Sequence, residues 1–187
     1  MEMDLKSYIR VYDEFIDRDI CDRTVKVLEN EKWSVNDFYD PQTKSYKSFG
    51  GENECEMFYG NIDTHETLMR DLWNVYFRYL KELQFPWFSG WSGYSKIRYN
   101  RYKENTLMIK HCDHINLFDD PQKGVPMLSV VGALNDDYEG GEFVMFDDYK
   151  IQLKKGSMLI FPSCFLYPHK VEKVTKGTRY SFVSWCW

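Results

Sequence analysis

The second half of the chain is a series of short predicted strands separated by residues that favour turns. The segments cover residues 95–101, 107–113, 127–134, 142–146, 157–161, 169–171 and 179–185. Clusters rich in Asp, Asn, Lys and Gly lie between them at 135–137, 139–141, 154–156 and 175–177. Many short strands with tight turns are typical of antiparallel sandwiches and barrels, so the sequence predicts such a unit here.

Two helical patterns precede these strands. The first helix is expected after Asp17, a good N-cap residue, and ends in the polar run 29–32. A longer helix begins at Asp63 or Thr64 and continues towards Pro86. Its apolar stripe consists of Leu68, Leu72, Val75, Tyr76, Tyr79, Leu80 and Leu83. Both helices are expected to pack on one sheet, which gives an α+β fold.

Composition agrees with one folded domain. The chain has 187 residues, of which 43% are hydrophobic and 18% aromatic, and this is enough for a sizeable core. We predict a single domain over 1–187, with supporting helices and a loop in 1–90 and the strands of the core in 91–187. The net charge is −5 and no dense Lys/Arg block occurs, so nucleic acid is not expected as a partner.

Cysteine usage and hydropathy bear on the compartment. The five cysteines are odd in number and scattered, with no Cys-x-x-Cys pair, which indicates reduced thiols in a cytoplasmic protein. The first residues lack the basic and apolar regions of a signal peptide, and no apolar run is long enough to cross a bilayer. Neither secretion nor a membrane partner is therefore expected.

Residues 36–60 lack a sustained hydrophobic period and are rich in Asp, Asn, Ser, Gly and Tyr. A long loop or an irregular hairpin is predicted. Gly50-Gly51 is a candidate hinge, and the candidate aromatic clamps are Tyr39, Tyr46, Phe49 and Phe58. Two hypotheses stay open: a mobile lid that selects the substrate, or an ordinary surface loop.

Three candidate metal ligands lie in two of the predicted strands. His111 and Asp113 are two residues apart, so they face the same side of one strand while Cys112 faces away. His169 follows Asp113 by 56 residues, in another strand that the fold can bring alongside. Two imidazoles and one carboxylate form the ligand set of a non-haem Fe(II) site with open coordination positions.

The remaining histidines are not expected to be ligands. Strand alternation points His114 away from Asp113, so a supporting or surface role is predicted for it. His65 falls in the first turn of the longer helix and is expected to be solvated.

The order of these motifs resembles the Fe(II)/2-oxoglutarate-dependent oxygenases, and within them the prolyl 4-hydroxylase-like group. The matching segments are 98–102, the His-x-Asp at 111–113, 128–143, 156–162, 168–171 and 177–185. They span about the last ninety residues, whereas residues 1–90 match only loosely. The resemblance implies a double-stranded β-helix, or jelly roll, with the N-terminal helices packed on one sheet.

The resemblance also implies cofactors and the residues that hold them. Fe(II) is expected at His111, Asp113 and His169, with 2-oxoglutarate and O2 as cosubstrates and ascorbate as a further candidate. Arg179, ten residues after His169, is expected to bind the far carboxylate of 2-oxoglutarate, because a guanidinium can bind a carboxylate through two hydrogen bonds. Tyr102 matches a tyrosine that contacts the same carboxylate.

Strand alternation adds two candidates to this pocket. Arg179, Ser181, Val183 and Trp185 share one strand face, so Ser181 is expected to add a hydrogen bond and Trp185 to form a wall. Tyr102 has an alternative role as a core aromatic, since the chain contains fourteen tyrosines.

The implied reaction is oxidative decarboxylation of 2-oxoglutarate to succinate and CO2, coupled to hydroxylation of a C–H bond. The resemblance favours a prolyl residue in a peptide or protein as the substrate. The alternatives are hydroxylation of another residue or of a free amino acid, and a non-catalytic jelly-roll protein that binds a metal. Nucleobase demethylation ranks below these because of the acidic charge balance.

Overall fold

The computed structural model describes residues 4–40, 42–48, 53–84, 93–113 and 125–187. Within these ranges it contains two α-helices, a short 3-10 helix at Leu5–Tyr8 and a set of antiparallel strands. Across the same ranges, no helix is both long and apolar enough to cross a membrane.

The two α-helices occur where the hydrophobic pattern predicts them. Helix α1 covers Arg18–Leu28, and the Asp17 side chain caps it by accepting a hydrogen bond from a first-turn backbone N–H at 2.8 Å. Helix α2 covers His65–Leu83. Its N-cap residue Thr64 makes no capping hydrogen bond, because its hydroxyl bonds instead to that of Thr24 at 2.7 Å. This buried contact ties the two helices together.

The strands lie close to the predicted segments. They are β1 (Arg10–Tyr12), β2 (Ser34–Val35), β3 (Phe38–Asp40), β4 (Ser45–Lys47), β5 (Glu56–Phe58), β6 (Arg98–Tyr102), β7 (Met108–His111), β8 (Leu128–Ala133), β9 (Glu139–Gly140), β10 (Phe143–Met145), β11 (Tyr149–Ile151), β12 (Met158–Pro162), β13 (His169–Val171), β14 (Val174–Lys176) and β15 (Arg179–Cys186). Each of the seven predicted strands is present, and the additional strands are β1 to β5, β9, β11 and β14.

Two antiparallel sheets face each other. The described part of the larger sheet has the order β1-β12-β8-β15-β6-β5-β2, and that of the smaller sheet is β11-β10-β13-β7. Two short pairs, β14-β9 and β3-β4, lie beside them. This mostly antiparallel arrangement with two helices confirms the predicted α+β jelly roll.

The larger sheet is buried on both faces. On one face, Tyr99, Tyr180 and Phe182 pack against the apolar stripe of α2. On the other face, Val131 and Val183 belong to a second apolar cluster that includes residues of the smaller sheet. Because side chains alternate along a strand, each central strand contributes to both clusters. The space between the sheets is therefore separate from the helix-packed core.

The segment predicted as a long loop is partly regular. Strands β3 and β4 form a hairpin, and β5 joins the larger sheet beside β6. The Phe58 ring lies 5.9 Å from that of Trp33 and 6.0 Å from that of Tyr99, centroid to centroid. These contacts are on the helix side of the sheet, so the prediction of Phe58 as a substrate clamp is wrong.

The other lid candidates are only partly described. Tyr46 is exposed in β4. Phe49, Gly50-Gly51 and the side chain of Tyr39 lie outside the described residues. A lid role for the hairpin stays a prediction.

The contact between Gly132 and Phe182 can be tested by mutation. A Cβ at Gly132 would overlap the buried Phe182 ring, and overpacking of this kind costs about 1–3 kcal/mol. Gly132→Ala is therefore expected to lower the free energy of unfolding by that amount in urea titrations. As a control, adding Gly132→Ala to Phe182→Leu should cost less, because the smaller side chain leaves room. If Gly132→Ala lowers the free energy of unfolding equally in the wild type and in Phe182→Leu, the assigned contact is wrong.

Candidate metal and cosubstrate site

The two histidines of the predicted triad lie on neighbouring strands. His111 in β7 pairs directly with His169 in β13, and their ring centroids are 4.4 Å apart. Strand β7 ends at His111, so the prediction that the strand continues to Asp113 is wrong. Asp113 lies in the bend that follows, yet its buried carboxylate still points at both histidines.

The three side chains converge on one point. Oδ1 of Asp113 is 3.5 Å from Nε2 of His111 and 3.7 Å from Nε2 of His169. One ligand atom from each residue lies within 4.8 Å of the other two. A single divalent ion can therefore be held between them, as the sequence predicts.

Backbone carbonyls orient both imidazole rings. Nδ1 of His111 is 2.8 Å from the carbonyl oxygen of Ile109, and Nδ1 of His169 is 3.1 Å from that of Tyr167. A carbonyl can only accept, so each Nδ1 donates, and each Nε2 lies on the side of its ring that faces Asp113. Such a bond from the second ring nitrogen is the usual support of a metal-bound histidine.

Electrostatics leave His169 and Asp113 in the protonation states that a divalent ion needs. Burial lowers the pKa of His169 to about 4, so the ring is neutral at neutral pH. Burial alone would raise the pKa of the Asp113 carboxyl, but attraction to His169 and His111 and the hydrogen bond from Ser129 outweigh it and hold that pKa well below its usual range. A neutral His169 imidazole and an ionised Asp113 carboxylate fit Fe(II) without loss of a proton.

Ser129 is a site residue that the sequence analysis did not identify. Its hydroxyl donates to Oδ2 of Asp113 at 2.7 Å, and the hydroxyl of Ser163 is 2.7 Å from Ser129. Because the single Ser129 proton goes to the carboxylate, Ser163 is the donor of the second bond. These two buried serines keep Asp113 aimed at the histidines although it lies beyond its strand. A serine inside the apolar segment 127–134 was the only sequence signal.

Aromatic rings enclose the two histidines. Phe143 stacks on His169 at 5.2 Å and 16°, while Phe161 meets the same ring edge-on at 5.0 Å. Phe38 of the β3–β4 hairpin approaches His111 edge-on at 5.4 Å. These contacts restrict ring rotation, and they place the hairpin next to the metal site.

Arg179 lies at the other end of the same cavity and is only 2% exposed. Its Nη1 donates to Oγ of Ser181 at 2.9 Å, and its guanidinium lies 4.8 Å from the centroid of the Tyr102 ring. Among the described residues, no carboxylate is within ion-pair distance of Arg179. A buried charge without a partner is strongly unfavourable, so this position fits a ligand that brings a carboxylate.

Tyr102 faces the same space. Its hydroxyl makes a weak bond to Sδ of Met108 at 4.0 Å and also interacts with the Cys55 thiol. Burial raises the pKa of Tyr102 well above its usual value, so the phenol keeps its proton and can donate to a ligand.

A glycine lets the backbone approach Arg179. Gly141 has a φ of +64°, and a Cβ there would lie 3.2 Å from Cδ of Arg179. The sequence analysis treated this Gly-Gly pair only as a turn. Its second role is to leave room for the buried guanidinium.

Trp185 lies next to a residue that the sequence analysis did not consider. The Arg98 guanidinium stacks on the Trp185 indole at 5.0 Å, and Arg98 itself lines the cavity together with Asn100. Arg98 and Asn100 share a face of β6 with Tyr102. Because side chains alternate along a strand, counting back from Tyr102 in steps of two residues would have indicated them.

For the other histidines and the cysteines, one prediction from the sequence is wrong. His65 is buried, with 8% of its surface exposed, so the prediction that it is solvated is wrong. Cys112 points away from the triad, with its Sγ 3.5 Å from the carbonyl oxygen of Phe165. All five cysteines are free thiols, as predicted. His114 lies outside the described residues.

Comparison with known families agrees with this geometry. Residues 97–187, which contain every site residue described above except Phe38, match the model of the 2OG-Fe(II) oxygenase superfamily. This part of the chain is similar in sequence to that superfamily. Members of the superfamily require Fe(II), 2-oxoglutarate and O2.

Curated relatives of the oxygenase region are PKHD-type hydroxylases. The protein from Hyphomonas neptunium is 35% identical over 96 residues, which are 47% of this chain and 41% of the relative. The protein from Aliarcobacter butzleri is 33% identical over 96 residues, with 48% and 41% covered. The match therefore spans less than half the length of these relatives.

Solved structures share the fold over nearly the whole chain. A viral collagen prolyl hydroxylase from Paramecium bursaria Chlorella virus-1 superposes with a TM-score of 0.69 at 17% identity, covering 96% of this chain and 94% of the other. A prolyl hydroxylase from Trichoplax adhaerens, in complex with a hypoxia inducible factor peptide fragment, gives 0.71 at 15%, covering 96% and 83%. The likeness extends to the N-terminal helices, where the sequence resemblance was loose.

The role of the triad can be tested by metal titration. His169→Ala removes a ligand and is expected to abolish binding of Co2+ or Zn2+ in competition with a chelator. Ser129→Ala leaves Oδ2 of Asp113 without its donor and should weaken binding by about 10–100-fold. Ser184→Ala removes a buried hydroxyl that bonds to Ser95 and is the matched control. Unchanged affinity in His169→Ala would rule out the site.

The role of Arg179 can be tested by binding of 2-oxoglutarate. Loss of a buried charge-assisted contact costs about 2–5 kcal/mol, so Arg179→Ala should raise the dissociation constant by roughly 30-fold or more. Tyr102→Phe removes one hydroxyl and should have a smaller effect. The measurement is calorimetric titration of the Zn2+-loaded protein, and an unchanged constant in Arg179→Ala would place the carboxylate elsewhere.

Proposed function

We propose that this protein is an Fe(II)- and 2-oxoglutarate-dependent dioxygenase that hydroxylates a prolyl residue in a peptide or protein. The observation that carries the proposal is the buried Arg179, which has no carboxylate partner among the described residues and lines the same cavity as the His/Asp/His triad. A metal site and an anion site that face each other fit a cosubstrate that chelates the metal and ends in a second carboxylate.

The chain supplies binding, orientation and exclusion of water. His111, Asp113 and His169 would hold the ion, each with one ligand atom. Fe(II), when bound, supplies the activation of O2 that couples decarboxylation of 2-oxoglutarate to hydroxylation of a C–H bond. Arg179 and Tyr102 orient the cosubstrate by its far carboxylate, and the apolar side chains of the cavity keep bulk water out.

The prolyl substrate is supported by the relatives rather than by the site itself. The solved neighbours include collagen-type and peptide-bound prolyl hydroxylases, and the curated relatives are named as PKHD-type hydroxylases. Hydroxylation of another residue or of a free amino acid uses the same site and is the first alternative. A non-catalytic metal-binding protein is the second, and it is disfavoured because metal binding alone does not require a buried guanidinium.

We also propose a cytoplasmic location and a peptide or protein partner. The five free thiols support a reducing compartment. The aromatic hairpin beside His111 supports a substrate that extends beyond the cavity.

Succinate formation separates an enzyme from a binding protein. With Fe(II), O2 and 2-oxoglutarate, the purified protein is expected to form succinate slowly without any prime substrate, and His169→Ala should not. Proline-containing peptides should then raise the rate and gain one oxygen atom by mass spectrometry. Metal binding without succinate formation would support the non-catalytic alternative, and a gain of oxygen on another residue would correct the substrate.

A further inference from the structure

Strand β6 places a second guanidinium in the cavity. Alternation directs Arg98, Asn100 and Tyr102 between the two sheets, and all three line the same space as the metal ligands. Tyr99 and Arg101 point to the opposite face, where Tyr99 joins the helix-packed core and Arg101 pairs with Glu56 at 2.7 Å. The two arginines of this strand therefore have different surroundings.

Arg98 has few partners of its own. Its guanidinium stacks on the Trp185 indole, which holds the plane of the side chain in place. Its Nε is buried and makes no hydrogen bond, and no described carboxylate lies within ion-pair distance. Nε1 of Trp185 and Oδ1 of Asn100 are also buried without partners. Two donors and one acceptor are thus left unsatisfied in one region, and buried polar groups normally have partners.

This region lies at the metal end of the cavity. Trp185 pairs with Ser129 in the sheet, and Ser129 holds Asp113. Arg98 pairs with Val183, four residues beyond Arg179, which is about 13 Å along the strand. In the proposed function, the metal and Arg179 bind the two carboxylates of 2-oxoglutarate. Arg98 is then left for the other substrate, whose reacting carbon must lie beside the metal.

We propose that Arg98, held by Trp185, binds a carboxylate of the prime substrate, located on the hydroxylated residue or on its immediate neighbour. Oδ1 of Asn100 accepts a hydrogen bond from an N–H group of the same substrate. This inference rests on the proposed function and makes it more specific, because it requires an anionic prime substrate. Two sources of the carboxylate fit the site: the α-carboxylate of a free amino acid, and an acidic side chain next to proline in a peptide.

The test compares substrates that differ only in charge. The peptides are acetyl-Ala-X-Pro-X-Ala-amide with X as Glu, Gln or Lys, and the free amino acid arm compares L-proline with L-prolinamide. Wild-type protein is expected to prefer the carboxylate in one of the two arms by about tenfold or more in kcat/KM, as a charge-assisted hydrogen bond predicts. The arm that shows the preference identifies the source.

Three variants isolate the contribution of Arg98. Arg98→Gln should remove the preference without raising the KM for 2-oxoglutarate. Arg98→Lys keeps the charge and should retain part of the preference. Arg101→Gln makes the same change on the opposite face of β6 and should keep all of it.

Two results would overturn the inference. One is a wild-type protein that treats charged and neutral substrates alike in both arms, and the other is a KM for 2-oxoglutarate that rises in Arg98→Gln, which would assign Arg98 to the cosubstrate. Equilibrium binding of the same compounds to protein loaded with Zn2+ and 2-oxoglutarate gives a readout that does not require turnover. Absence of succinate formation would reject the proposed function, whereas equal binding of Glu and Gln peptides and of L-proline and L-prolinamide would reject only the carboxylate site.

Discussion

Burial of strand β15 on both faces is the constraint on which the rest of the structure depends. Its even-numbered side chains, such as Phe182, pack against the helices, and its odd-numbered ones, such as Arg179, face the space between the sheets. The strand pairs with β6 on one side and β8 on the other. The side chains of both neighbours therefore alternate between the same two faces of the sheet. One face of the sheet can therefore be mostly apolar while the other carries charged and polar groups at two-residue intervals.

In the part of the chain that the structure describes, the polar face contains buried charges of both signs, but only Asp113 is surrounded by complementary groups. Asp113 is surrounded by two imidazoles and the Ser129 hydroxyl, and it stays ionised despite full burial. Arg179 has no such anion among the described residues, and its desolvation is unfavourable until a ligand supplies one. In the proposed function, the cosubstrate would supply this anion. Arg98 is only partly buried, but its Nε is buried without a partner.

Prediction from sequence was most successful where a short-range rule applies. Strand alternation and turn residues located seven of the ten strands described in the second half and missed β9, β11 and β14. The His-x-Asp spacing identified candidate ligands that converge in space. It failed where the deciding contact is long-range. Phe58 was read as part of a loop because β5 is only three residues long, and its role depends on pairing with β6. Ser129 could not be recognised, since a serine in an apolar strand is informative only once Asp113 is known to face it.

The amino-acid sequence by itself determined the type of site: two imidazoles, one carboxylate and one guanidinium in an order that resembles a known family of oxygenases. These are local properties, because the residue types and the two-residue spacing of His111 and Asp113 do not depend on how the rest of the chain folds. Only the tertiary structure decided that His111 pairs with His169, that Asp113 reaches them from beyond its strand, and that Arg98 shares their cavity. The register between strands distant in sequence decides these contacts, and that register results from packing of both sheet faces at once.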